Sequence, residues 1–143
     1  MKALILALAA CATEPVPALY DLEPAGDAPW SDQVAEAAGV WNDALAPCGE
    51  VFALGAGVPV RFYESAKWPG TATERGYYDG LEVAVRETTR EVERATLVHE
   101  LGHVLRLPHS DDPTSVMKRV VGSLYLPNEN DVLAAALSID CNL

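Results

Sequence analysis

The chain contains three histidines, and all of them fall in one stretch, His99-Glu100-Leu101-Gly102-His103-Val104-Leu105-Arg106-Leu107-Pro108-His109. Any fold for this chain has to accommodate that clustering. A helix brings residues i and i+4 onto one face, so His99 and His103 can aim two imidazoles at one point, with Glu100 beside them. Pro108 cannot continue a helix, so the chain can turn back after it and offer His109 as a third imidazole. Histidines at this spacing point to zinc, and three protein ligands leave one coordination position open. An open position marks a catalytic rather than a structural zinc, because a water held there drops to a pKa of about 7. His99, His103 and His109 are therefore the candidate metal ligands, and Glu100 is the candidate general base.

A chain of 143 residues is enough for one domain with a sizeable core and too short for two. The N-terminus reads as targeting. Met1 and Lys2 precede a short apolar run, Ala3 to Ala10, which is too short to span a bilayer as a helix. The run ends in Leu8-Ala9-Ala10-Cys11, which resembles a bacterial lipobox with Cys11 as the lipidated residue. Cleavage near Ala10 or Ala12 as an ordinary secretory signal is the alternative, and either one exports the chain. Pro15, Pro17, Pro24 and Pro29, with Gly26 and several acids, then read as a tether. The expected division is a signal peptide over 1–10, a tether over 11–28 and a folded domain over 29–143. With Cys11 lipidated, Cys48 and Cys141 remain to pair in an oxidising compartment.

Within the domain, Val34, Ala38, Trp41 and Leu45 form one apolar stripe of a helix that Ser31 could cap. Val58 to Tyr63 alternates like a strand, and Asp79-Gly80 between Arg75–Tyr78 and Leu81–Val85 signals a hairpin. Thr88 with Glu91 fits a capping box for a helix running to about Leu105, which places His99, Glu100 and His103 in its second half. A last helix is expected from Glu129 to Leu137, capped by Asn128 or Asn130. The formal net charge of −11 argues against nucleic acid or an anionic membrane surface as a partner held by charge. Membrane contact is expected only through a lipid at Cys11.

The histidine stretch followed by Ser115-Val116-Met117 resembles the metzincin zinc proteases, whose pattern is HExxHxxGxxH and then a methionine-containing turn. Within that clan His109-Ser110-Asp111-Asp112-Pro113-Thr114-Ser115-Val116-Met117 looks most like a matrixin. The resemblance extends more weakly to Trp41 and to the segment Leu126 to Val132. It implies an α+β, zincin-like single domain: a twisted mixed sheet packed on the active-site helix, with a C-terminal helix. It also implies a monomeric zinc endopeptidase acting on a protein or peptide substrate. The substrate would lie extended along an edge strand around Thr73 to Tyr78, where Tyr77 and Tyr78 could contact it. Met117 would support the metal site without ligating.

The tripeptide Pro47-Cys48-Gly49 has a distant likeness to the inhibitory cysteine of matrixin pro-segments, but its flanks do not match. Calcium is a further candidate cofactor at Asp111 and Asp112, against a plain solvated turn. In one respect the chain departs from the family: Arg106 stands where the pattern has glycine. A left-handed turn at arginine costs about 1–2 kcal/mol. That motivates an alternative, a zinc-binding envelope module without catalysis. A hydrolase of another class using the same zinc chemistry is the third reading.

Overall fold

A computed structural model describes residues 18–25 and 28–143. Residues 1–17, which include the expected signal peptide and Cys11, lie outside the described part. The elements run β1 (Tyr20–Ala25), α1 (Ala28–Ala44), β2 (Phe52–Leu54), β3 (Val58–Tyr63), β4 (Gly76–Tyr78), β5 (Val83–Arg86), α2 (Arg90–Val104) and α3 (Glu129–Ser138). The five strands form one sheet in the order β2-β1-β3-β5-β4. All neighbours are parallel except the β4–β5 hairpin, so β4 is an antiparallel edge strand. This is the mixed α+β sheet expected of a zincin-like domain.

Helices α1 and α2 pack against each other and against the sheet. The α1 stripe is the core face: Val34, Ala38, Trp41 and Leu45 are all buried. Trp41 also donates its indole N–H to the carbonyl of Val98, 2.9 Å away in α2. A buried polar group is thereby satisfied while its ring fills the space between the helices.

The structure corrects the sequence reading at several points. The expected tether over 11–28 contains β1, and Leu22 is fully buried in the core. Pro24 suggested a linker, but β2 pairs with β1 only over Tyr20 to Leu22, while β3 pairs as far as Ala25. On the β2 side Pro24 therefore lies past the last paired residue, where a missing N–H costs no ladder bond. The three-residue β2 escaped the sequence reading because it is too short to alternate. Asn42 holds it in place, with its side-chain oxygen accepting from the backbone of Val51 and Phe52 and its amide donating to Phe52 O.

Helix α1 begins at Ala28, so Ser31 sits within it rather than capping it. Pro29 falls in the first turn, where an absent N–H has no helical partner to lose. The cap of α2 is Thr89 rather than Thr88, and its side chain accepts from Val92 N. The N–H of Thr88 goes to the carboxylate of Glu93 at 2.7 Å. The hairpin turn is longer than two residues: Asp79 Oδ1 accepts from the N–H groups of both Leu81 and Glu82. The last helix is capped by Asn128.

Cys48 and Cys141 are disulfide-bonded across 93 residues of chain, tying the end of α1 to the tail after α3. Closing a loop of that size removes about 4–5 kcal/mol of unfolded-state entropy in the chain-entropy account. Among the described residues no helix is long and apolar enough to cross a membrane. The 24 residues between α2 and α3 form no regular element apart from one bridge, Ser110 to Lys118. Ordered irregular chain of that length in a compact domain is usually functional.

Candidate metal centre

The first two ligands follow from helix geometry. His99 and His103 lie one turn apart on α2, His99 buried and His103 half-buried. The third requires the helix to stop abruptly. Arg106 takes φ 66°, a left-handed conformation. The N–H of Arg106 bonds the carbonyl of His103 at 2.9 Å, and the N–H of Leu107 bonds that of Gly102 at 3.0 Å. This pair of bonds is the Schellman C-cap, which glycine ordinarily serves because it has no side chain to strain. Arginine accepts the strain here, and the chain turns back to bring His109 beside the other two. One ring nitrogen from each histidine lies within 4.8 Å of the others, and Nε2 of His103 is 3.2 Å from Nε2 of His109. Among the described residues this is the only group of three or more side chains placed to hold a metal ion.

Two of the rings are fixed by the backbone. Nδ1 of His99 is 2.6 Å from the carbonyl of Val116, and Nδ1 of His103 is 2.8 Å from that of Leu107. A carbonyl oxygen can only accept, so each Nδ1 carries the hydrogen and each Nε2 keeps its lone pair for a metal. Burial pushes His99 down to about pKa 4, outweighing the Val116 carbonyl, so it stays neutral and able to ligate across ordinary pH. His109 is also shifted down, by burial and by the charges of His103 and Arg119. Three imidazoles, two of them oriented by outer hydrogen bonds, form a donor set suited to zinc.

The Val116 carbonyl is held in turn by a residue that the sequence reading missed. Asp131, buried in the first turn of α3, accepts from Ser115 Oγ and from the N–H of Val116 at 2.9 Å. It also accepts from the N–H of Asn128 at 3.1 Å, closing a capping box with that residue. The only sequence signal was the Asn-x-x-Asp spacing of the box itself. Met117 packs beneath the site, 1% exposed. Its sulfur occupies the space a Cβ on Gly102 would need, which explains glycine inside the ligand helix. Asp112 shapes the turn after His109: one carboxylate oxygen accepts from the N–H and hydroxyl of Thr114 and the other from Asn128.

Glu100 is 4% exposed and faces the edge strand. Its pKa is pushed up to about 8, chiefly by burial and then by the charge of Glu74, against a hydrogen bond from the Tyr78 backbone. A divalent cation nearby acts in the opposite direction. Gly76 makes this closeness possible: a Cβ there would meet Thr96 Cγ2, the carbonyl of Ala84 at 2.9 Å and Glu100 Oε1 at 3.1 Å. The result is an open cleft of about 450 Å³ with the histidines and Glu100 as its floor. One rim is the segment from Thr73 to Tyr78 and the other is Arg119 to Val121.

A family model described as matrixin, of the M10 peptidases, matches residues 49–135. The match takes in more than half of the chain and includes the histidine stretch, the Met117 turn and most of α3. A search of curated proteins gave no match.

Two predictions follow from the way the ligands are held. Asp131→Asn should lower zinc affinity about 10–100-fold, because outer-shell partners of ligands have effects of that size; competition with a chromophoric chelator measures it, and unchanged affinity would show that Asp131 does not hold the site. Arg106→Gly should raise stability by roughly 0.5–1 kcal/mol, since relief of left-handed strain exceeds the added unfolded-state entropy of glycine. Denaturant unfolding of the zinc-loaded protein reads that difference, and a loss of stability would refute it.

Proposed function

Because the chain belongs to the matrixin family of zinc peptidases, we propose that it is an endopeptidase with His99, His103 and His109 as zinc ligands and Glu100 as general base. The observation that carries this reading is the convergence of three imidazoles and a buried carboxylate on one open cleft beside a sheet edge. Zinc, when bound, supplies Lewis acidity and brings the pKa of a water to about 7.

The remaining steps belong to the chain. β4 presents an edge that is unpaired among the described residues, on which an extended peptide adds by main-chain hydrogen bonds. Glu100 takes a proton from the attacking water as the oxygen–carbon bond forms, and delivers it to the amine nitrogen as the peptide carbon–nitrogen bond breaks. Glu100 lines the cleft beside the ligand histidines, where its carboxylate form can take the proton and its carboxyl form return it. The reading of a zinc-binding module without catalysis rested on Arg106, and Arg106 makes the turn that brings the ligands together.

We propose in addition that the chain is exported, with 1–10 as signal peptide and Cys11 as the lipidated residue. The support is the lipobox-like sequence together with a disulfide of the kind that persists outside a reducing cytosol.

Glu100→Gln should keep zinc at one per chain and lose about 100- to 10,000-fold in hydrolysis of an unstructured protein. Retained hydrolysis in that variant would overturn the assignment of Glu100. In a bacterial host, metabolic labelling with a fatty-acid analogue should mark the wild type and fail to mark Cys11→Ser; equal labelling, or none in either, would overturn the anchor.

A further inference from the structure

Two arginines, Arg75 and Arg119, line the cleft of a chain that is strongly acidic as a whole. The chain carries a formal net charge of −11. Most of its described cations beside an acid are spent on it: Arg61 on Glu82, Lys67 on Glu64, and Arg90 and Arg94 on Glu36, all within 3.3 Å. Arg86 is occupied by Ser65 and the carbonyl of Ala72. Arg119 is different. It lines the cleft, its side chain is 71% exposed, and its only acid among the described residues, Asp111, is 3.9 Å away and itself 99% exposed. At that separation no hydrogen bond forms, and a solvent-exposed pair contributes close to nothing. Among the described residues the guanidinium therefore keeps its donors free. Across the cleft Arg75 stands on the opposite rim with no acid within 4.0 Å among the described residues. Glu74, the acid on that rim, is turned to the backbone N–H of Thr71 at 2.8 Å.

We infer that Arg119 is a specificity-determining residue that receives a carboxylate of the bound peptide, from an aspartate or glutamate side chain or from the chain terminus. The inference rests on the peptidase reading above and names its substrate class. Arg119 lies on the rim beside His109, so the carboxylate it holds belongs to a residue close to the scissile bond. A planar guanidinium offers the two parallel donors that a carboxylate accepts, which lysine does not. Val120, 79% exposed next to it, gives the carbon stem of such a side chain an apolar surface to lie on. An acidic exterior repels acidic peptides in general, so an uncommitted cation at the cleft makes local recognition of a carboxylate count.

The test compares matched peptides that carry glutamate or glutamine at each position in turn, made both with a C-terminal amide and with a free C-terminus. In the zinc-loaded wild type, kcat/KM for glutamate over glutamine at one position near the scissile bond, or for a free terminus over an amide, should be about two- to fivefold, the size expected of a well-aligned exposed ion pair. The ratio should fall to about one in Arg119→Ala and below one in Arg119→Glu. Because it is a ratio within one variant, loss of fold or of zinc does not mimic the effect. A preference that follows the side chain in amidated peptides assigns the carboxylate to an internal residue; one that follows only the free C-terminus assigns it to the chain end. A glutamate-over-glutamine ratio and a free-terminus-over-amide ratio that are both the same in wild type and in both variants overturn the inference while leaving the peptidase reading intact. Should the wild type hydrolyse none of the peptides, the peptidase reading fails. Binding of the same peptides to zinc-loaded wild type and Arg119→Glu, by fluorescence polarisation, then decides the inference, and equal affinities overturn it.

Discussion

The site depends on two backbone carbonyls. Val116 and Leu107 each accept a hydrogen from the Nδ1 of a ligand histidine, and that fixes which nitrogen of the ring is left for the metal. Neither carbonyl belongs to a helix or strand. One is delivered by the left-handed turn at Arg106, the other by the Met117 loop, and Asp131 ties that loop to the cap of α3. The helix supplies ligand spacing and the irregular chain supplies ligand orientation. An uncapped α2 would still carry both histidines on one face, but its second imidazole would lose the carbonyl that orients it.

The same economy of space runs through the packing beneath the site. Trp41 joins α1 to α2, and its ring and the Met117 sulfur together fill the surface of α2 at Gly102. On the other side, Gly76 lets the edge strand approach until Glu100 is almost dry. Burial is what raises the carboxyl, and the open edge is what lets a peptide reach it. Bulk at either glycine would act on the chemistry by moving a neighbour, not by removing a reactive group.

Much of this was legible in the sequence because the strongest signals are local. The i, i+4 spacing of His99 and His103, the stripe from Val34 to Leu45 and the Asp79-Gly80 turn each describe a geometry complete within a few residues. What escaped depended on partners far along the chain. β1 reads as a proline-rich linker until β3 is placed beside it, and β2 becomes a strand only because Asn42 and β1 hold it. Asp131 looks like a surface acid at a helix start, and its burial arises from a loop 15 residues upstream. Arg106 was legible as a departure from the family pattern. Its consequence was not, because whether the chain accepts left-handed strain depends on the cap bonds gained, and those appear only in three dimensions.

X-ray absorption at the zinc edge of the purified, zinc-loaded chain tests the central claim most directly, because it reads the donor set without requiring turnover. The account predicts one zinc per chain with three imidazole nitrogens at about 2.0–2.1 Å and a single light-atom donor completing a four-coordinate site. Loss of an imidazole contribution in His109→Ala would tie the third nitrogen to the turn at Arg106. A spectrum with two imidazoles, with sulfur in the shell, or with no bound zinc would contradict it.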